Sequence, residues 1–448
     1  MKSILLSTVL SLACGAAFAA LPTVSNVRLA QSGSTVTIRY SLDSAPAIVT
    51  CDLEAGGGNV TAEVLANATG DINRKVTTAG EHAVVWKIRN SPFRDLEVEN
   101  VRVNVKAWSL ARPPDYMVAD LDNENDIRYY ASSNSLPGGL LANEAYRKSK
   151  LVMRLIRAKG IPWNMGNAGE CNAYGSTSAN YRDPVAEKLH RVTLDRDFWI
   201  GVFEVTQAQW SKFLTNGSSL KTEGEMRPVE TVSYNAVRHA NSQNDNTLAY
   251  YPAKPGNGSF LGLLRAKTGL QFDLPGEAQW EFACRAGTGE GEFNTGYRMS
   301  NQYGTDNSHG DHPNYPGVFP GRIQVNVTPA NLTTISSAVG PTNGTAIVGS
   351  YPPSKWGTYD MHGNVAEMCL DWYAADITGL NGAVNADGAN LADGTSPAEE
   401  KRVCRGGCWV HYAAIARSSS RTGTYKSISH TTTSRYYGFR VMCELEED

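Results

Sequence analysis

The side chains best able to do chemistry in this 448-residue chain are its eight cysteines and eight histidines. Cys408-Trp409-Val410-His411 sets a thiol and an imidazole close together, and both groups bind zinc and copper. Two neighbours are not four ligands, so the pair alone makes no metal site. His309-Gly310-Asp311-His312 has a spacing seen at metal sites, yet it lies in a Gly/Pro/Asn-rich stretch with no third ligand nearby and reads as a solvated loop. Gly-x-Ser-x-Gly and phosphate-loop patterns are absent, which removes two common catalytic designs. From Trp409 to Tyr437 the chain runs without an acid and mixes arginine, lysine, serine and threonine with four tyrosines. That mixture serves adaptable recognition. Trp409, His411, Tyr412, Arg417, Arg421, Tyr425, His430, Arg435 and Tyr436 form a candidate ligand-binding surface for a protein, peptide or glycan; ordinary loop residues are the alternative.

Composition narrows the partners. Forty-one basic against 44 acidic residues give a net charge of −3, with no Lys/Arg block, so nucleic acid is not an expected partner. Lys2, the apolar run from Ile4 to Ala13 and Ala17-Phe18-Ala19 read as a cleaved signal peptide over residues 1–19. The expected destination is secretion, a periplasm or a cell surface. Lipidation at Cys14 is the weaker reading, because Ser11-Leu12-Ala13 fits a lipoprotein box poorly. No later stretch is long and apolar enough to cross a bilayer. Export permits disulfides and leaves Cys51, Cys171, Cys284, Cys369, Cys404, Cys408 and Cys443, an odd set in which at least one has no internal partner.

Elements must position these groups. Val36, Ile38 and Tyr40 alternate with Thr35, Thr37 and Arg39, and Val101, Val103, Val105 and Ala107 repeat the period of two. With Val49 to Leu53 and Val84 to Ile88 between them, residues 20–110 read as an all-β, immunoglobulin- or fibronectin-like sandwich. Arg112-Pro113-Pro114 breaks the pattern, and 111–150 is expected to be a linker. A strand is favoured from Leu151 to Ile156. Thr206-Gln207-Ala208-Gln209 is a capping box that starts a helix closed by Asn216-Gly217, Ser233 caps a second, and Pro275 opens a third that stops at Gly287. Beyond about residue 290 the chain is rich in Gly, Asn, Ser, Thr and Pro, so loops and short strands are expected.

Several blocks share one resemblance. Phe198-Trp199-Ile200-Gly201-Val202-Phe203-Glu204-Val205-Thr206, Pro228-Val229-Glu230-Thr231-Val232-Ser233, Leu274-Pro275-Gly276-Glu277-Ala278-Gln279-Trp280-Glu281, Tyr359-Asp360-Met361-His362-Gly363-Asn364-Val365-Ala366-Glu367, Arg405-Gly406-Gly407 and Gly438-Phe439-Arg440 resemble, in order, the motifs of the formylglycine-generating enzyme (sulfatase-modifying factor) family. The resemblance spans about 151–445 and implies, for 151–448, an α+β, loop-rich, C-type-lectin-like domain.

The family's enzymes oxidise a sulfatase cysteine to formylglycine with two copper(I)-binding cysteines that follow the Gly-Gly turn. Here those positions correspond to His411 and Ala416, so no catalytic residue is assigned and copper is not expected; a hydroxyl or methyl group does not replace a soft thiolate. Cys404 and Cys408 flank the turn rather than follow it. No His-x-x-x-His-x-Glu, a signature of the family's sulfoxide-forming branch, occurs. By the same resemblance Asp360, Gly363, Val365 and Glu367 match a calcium site, Cys284 would bridge to Cys443, and Cys369 would pair with Cys404 or Cys408. A second family calcium site lacks its aspartate near Gly340. These readings converge on a calcium-stabilised binding or structural module without the oxidase activity, against the alternative of an active oxidase using other ligands.

Overall fold

The computed structural model describes residues 21–55, 58–90, 101–167, 183–215, 224–239, 254–288, 344–384, 401–409, 415–421, 427–429 and 432–446. Residues 1–19, expected to be a signal peptide, Cys171, the 309–312 histidines and Asn216-Gly217 lie outside them. The N-terminal part contains β1 (Val24–Ser32), β2 (Thr35–Leu42), β3 (Ala47–Ala55), β4 (Gly58–Asn59), a short helix α1 (Thr61–Leu65), β5 (Ala68–Gly70), β6 (Arg74–Val76), β7 (Gly80–Lys87) and β8 (Arg102–Trp108). One sheet runs β1-β2-β7-β5; β3 pairs with β4, β6 and β8 in the other. The period-two residues Val36, Ile38, Tyr40 and Leu42 turn inward to meet Val49, Cys51, Leu53, Val84 and Trp86 in one core. Alternation is clear in β2 because its other face is wetter, whereas β3 is buried on both faces at Ile48 and Thr50.

The segment from 111 to 150 is folded, where a linker was expected. β9 (Tyr116–Asp120) and β10 (Ile127–Tyr130) pair with each other, and β9 also pairs with β11 (Lys150–Ile156). Tyr116 to Asp120 is buried on both faces, so the strand has no alternation by which to recognise it. The strand favoured from Leu151 forms, and it pairs with β14 (Phe198–Gly201) beyond the small β12–β13 ribbon (Pro162–Met165 and His190–Thr193). With β15 (Phe272–Asp273) and β20 (Met442–Glu444) the order is β10-β9-β11-β14-β20-β15. Trp199, Leu151, Met153 and Cys443 face one core cluster; Phe198, Ile200 and Met442 face another.

Helices are few and short. After α2 (Ala145–Lys148), α3 (Gln207–Trp210) begins at Thr206, whose hydroxyl accepts from the Gln209 N–H while the Gln209 side chain accepts from the Thr206 N–H. Ser233 accepts from the Ala236 N–H at a π-helical turn, Asn235–His239. α4 (Phe260–Thr268) has Ser259 as its cap and ends on Gly269 at φ 72°, a left-handed position that suits glycine. α5 (Glu277–Arg285) follows Pro275 and stops at Ala286. A second sheet, β18-β17-β16-β19, joins β16 (Ala366–Trp372) to β17 (Lys401–Arg405), β18 (Ser427–Ser429) and β19 (Tyr437–Gly438).

The N-terminal sheets sit against this body. The Tyr129 N–H donates to the Asn73 carbonyl at 2.8 Å, Lys75 pairs with Glu446, and Ile48 belongs to the same core cluster as Met117, Tyr129 and Trp199. Truncating a buried isoleucine forfeits its transfer energy and leaves a cavity. Ile48→Ala should therefore cost about 2–4 kcal/mol and destabilise the C-terminal body as well as the N-terminal sheets. Urea unfolding followed by tryptophan fluorescence and by exchange at β9 measures both; an unchanged β9 would refute the shared core.

Candidate functional site

The site is built around the glycine turn after β17. Gly406 and Gly407 have φ of 87° and 69°, and a Cβ on Gly406 would stand 3.0 Å from the Trp280 ring, so only glycine fits without displacing that indole. Cys408 and Trp409 follow, both buried. Ala416, expected to match the family's second thiol, is 0% exposed, and its carbonyl accepts from His362 Nδ1 at 2.7 Å. A carbonyl only accepts, so Nδ1 holds the hydrogen and Nε2 is the acceptor; the Cys284 Sγ lies 3.7 Å from it. Burial pulls the His362 imidazole down to about 4 and pushes the Cys284 thiol up to about 12, so at neutral pH neither is charged. His411 lies outside the described residues.

Of the five described residues of the expected binding surface, Trp409, Arg417 and Arg421 are interior. Arg417 and Arg421 are buried: Arg417 forks onto Glu187 at 2.7 and 3.1 Å, and Arg421 onto Glu277 at 2.6 and 3.1 Å. An acid-free stretch can still fold inward when its acids come from elsewhere. Arg405 lies between Glu277, at 3.3 Å, and Glu281, which also holds Arg285 at 2.7 Å. Burial alone would raise the Glu281 carboxyl, but Arg285 and Arg405 hold it below its usual range. Trp409 is buried too, its ring tilted by 39° against the half-buried ring of Tyr436 at 5.5 Å, with exposed Arg435 over the Tyr436 ring at 5.2 Å. Of the nine residues, Arg435 and Tyr436 are those the structure places at the surface; His411, Tyr412, Tyr425 and His430 are outside the described residues.

The expected disulfides are not formed. Cys51, Cys284, Cys369, Cys404, Cys408 and Cys443 are all buried, and none is in a disulfide. Cys443 faces the Trp199 cluster, whereas Cys284 lies in the Ile200 cluster on the other side of the sheet. Val441, two residues before Cys443, shares its face and lies in the same cluster away from Cys284. Cys404 stands opposite Met368 in the β16–β17 register, so Cys369, one residue on, points to the opposite side. Burial pushes the Cys369 and Cys404 thiols well above the ordinary range.

At the calcium motif the four matched residues are not equivalent. Glu367 is bound at 2.6 Å by both Nε and an Nη of Arg440 and by the Trp280 indole N–H, which fills Oε2 and neutralises the charge. Asp360 is 8% exposed; its Oδ2 accepts from the Gly349 N–H at 2.7 Å and its Oδ1 has no partner. Glu204, which the sequence reading left unassigned, joins them: it accepts from the Asn364 side chain at 2.5 Å and the Val365 N–H at 3.2 Å. Burial, then the neighbouring carboxylates, pushes Glu204 well up, and burial brings Asp360 up to about 6.

Comparison with known proteins follows this geometry. The sulfatase-modifying factor enzyme 1-like domain matches residues 165–445, and the chain belongs to that family. A chaperone protein LppX of Paenibacillus barcinonensis is 28% identical over 274 residues, 56% of this chain and 80% of that protein. A formylglycine-generating enzyme of Thermomonospora curvata is 28% identical over 153 residues, 33% of this chain and 43% of the enzyme, so the match spans less than half of that relative. Among solved structures, PvdO of Pseudomonas aeruginosa is similar at a TM-score of 0.42 and 22% identity, over 66% of this chain and 94% of that one. Among the described residues, no helix is long and apolar enough to cross a membrane.

Two outcomes check the interior. Arg417→Met leaves Glu187 buried without its cation and should cost about 3–5 kcal/mol in urea unfolding; a loss under about 0.5 kcal/mol, usual for a surface residue, would contradict the burial. Iodoacetamide added in denaturant without reductant should alkylate Cys284, Cys369, Cys404, Cys408 and Cys443, read by peptide mass mapping. Protection of any pair until reductant is added would restore a bridge.

Proposed function

We propose that this chain is an exported, sulfatase-modifying-factor-type recognition or structural module that does not perform the copper-dependent conversion of cysteine to formylglycine. The observation that carries the reading is Ala416: its methyl group offers copper no donor, and its backbone is fixed by His362. The thiols flanking the turn, Cys404 and Cys408, are 3% and 0% exposed inside an apolar cluster, where Cys404 is held protonated. Copper(I) needs accessible thiolates. The donor set therefore does not fit that ion.

In this reading the domain is C-type-lectin-like, carried on an immunoglobulin- or fibronectin-like sandwich and exported by residues 1–19. Its ligand is a protein, peptide or glycan met at the rim where Arg435 and Tyr436 reach solvent. The Paenibacillus relative is named a chaperone, a role that calls for a surface rather than a redox pair. A calcium ion would stabilise the module, with Asp360 Oδ1 and the Gly363 and Val365 carbonyls as hard oxygen donors. Its contribution would be structural, fixing the 360–367 turn.

The test is to incubate purified protein with copper(I), oxygen and a sulfatase-motif peptide and to weigh the peptide. No conversion of cysteine to aldehyde is the expected result. Conversion that disappears in Cys404→Ser or Cys408→Ser would establish the oxidase and overturn the proposal.

A further inference from the structure

One edge of the N-terminal sandwich is left open among the described residues. β1 stands at the end of the order β1-β2-β7-β5 and pairs with β2 alone. Apart from half-buried Val24, every residue of the strand is exposed, so both of its faces meet solvent. Such an edge presents a row of unpaired N–H and C=O groups on which another strand can build. The two halves of β1 differ. Between Ser25, opposite Ser41, and Arg28, opposite Arg39, the register slips by one residue, with Asn26 at φ 53°; a bulge of this kind turns an edge away from strand addition. From Arg28 to Ser32 the register against β2 is unbroken, and that stretch is the usable edge.

Its side chains define what it would accept. Arg28 lies directly opposite Arg39; both are exposed, and among the described residues neither forms an ion pair. Like charges placed opposite each other weaken the pairing. The next position in that row is Ala83 on β7, which supplies no acid, so the open edge is where one can be added. On the other face Leu29, 44% exposed, pairs with buried Ile38 and stands beyond the cover of the core. Successive side chains of a strand alternate between faces. A strand laid beside β1 would therefore set an acid next to Arg28 and an apolar residue next to Leu29.

We propose that β1, over Arg28 to Ser32, takes up an extended peptide that alternates acidic with apolar residues and so adds a strand to the sandwich. Backbone hydrogen bonds along the open edge supply affinity, and the Arg28–Arg39 pair selects for acids. A second copy of this chain fits less well, because two β1 edges paired about a two-fold axis bring four guanidiniums onto one face and no acid. This surface is separate from the rim at Arg435 and Tyr436 and is independent of the ligand read there.

The experiment uses the full chain and two capped hexapeptides, one alternating glutamate with valine and the other lysine with valine, read by fluorescence anisotropy and by hydrogen exchange at residues 24–32. The glutamate peptide should bind about three- to tenfold more tightly than the lysine peptide, and should slow exchange from Arg28 to Ser32. Arg28→Glu, a change at an exposed position that should leave thermal melting unaltered, should reverse the order of the two peptides. Methylating the backbone nitrogens along one edge of the glutamate peptide should abolish its binding. Equal affinity for the two peptides, an order that Arg28→Glu leaves unchanged, or no binding of either overturns the proposal. So does a chain that sediments as a dimer with those amides already protected, which would assign the edge to a second copy.

Discussion

Several carboxylates buried in the C-terminal domain are held by arginines, and those pairs tie together segments far apart in sequence. Glu277 and Glu281 lie on one turn of α5, and their partners Arg405 and Arg421 come from β17 and the segment after it. Glu187 takes Arg417, and Glu367 takes Arg440 from just before the last strand. A buried ion pair adds little over a well-packed apolar pair, but losing one partner is severe. Its value here is positional. A forked guanidinium accepts one orientation of its carboxylate, so each pair fixes where a loop lies when no helix or ladder does so.

That same non-locality explains what the sequence could and could not tell. Alternation in β2, β7 and β8 was plain because each strand has one wetter face, and the Thr206 capping box marks α3 by a bond pattern confined to four residues. α4 carried a local signal that went unused: Ser259 as cap, Leu261 and Leu264 inward, and Gly269 to end it. β9 carried almost none, since both faces are buried and the neighbouring Asp120 to Asn125 run suggests solvent. Arg417 and Arg421 were misplaced for a deeper reason. Their acids stand 230 and 144 positions away, so the local pattern of an acid-free stretch had no access to them.

The cysteines make the same point about faces. A step of two keeps a side chain on one side of a strand, but the side itself is set by the register against β14, where Cys443 lies opposite Trp199. Trp199 faces the cluster away from Cys284, so Cys443 must too. Only the pairing partner, absent from any local window, decides this.

At the glycine turn, contacts converge on the backbone. Gly406 passes close to Trp280, that indole donates to Glu367, and Glu367 holds Arg440. His362 bridges from this web to the Ala416 carbonyl on one side and to the Cys284 thiol on the other. Each contact positions backbone; none presents a thiolate to solvent. The residues around Ala416 are held by the His362 hydrogen bond and by the buried arginine pairs, so position rather than exposure sets what each of them must be.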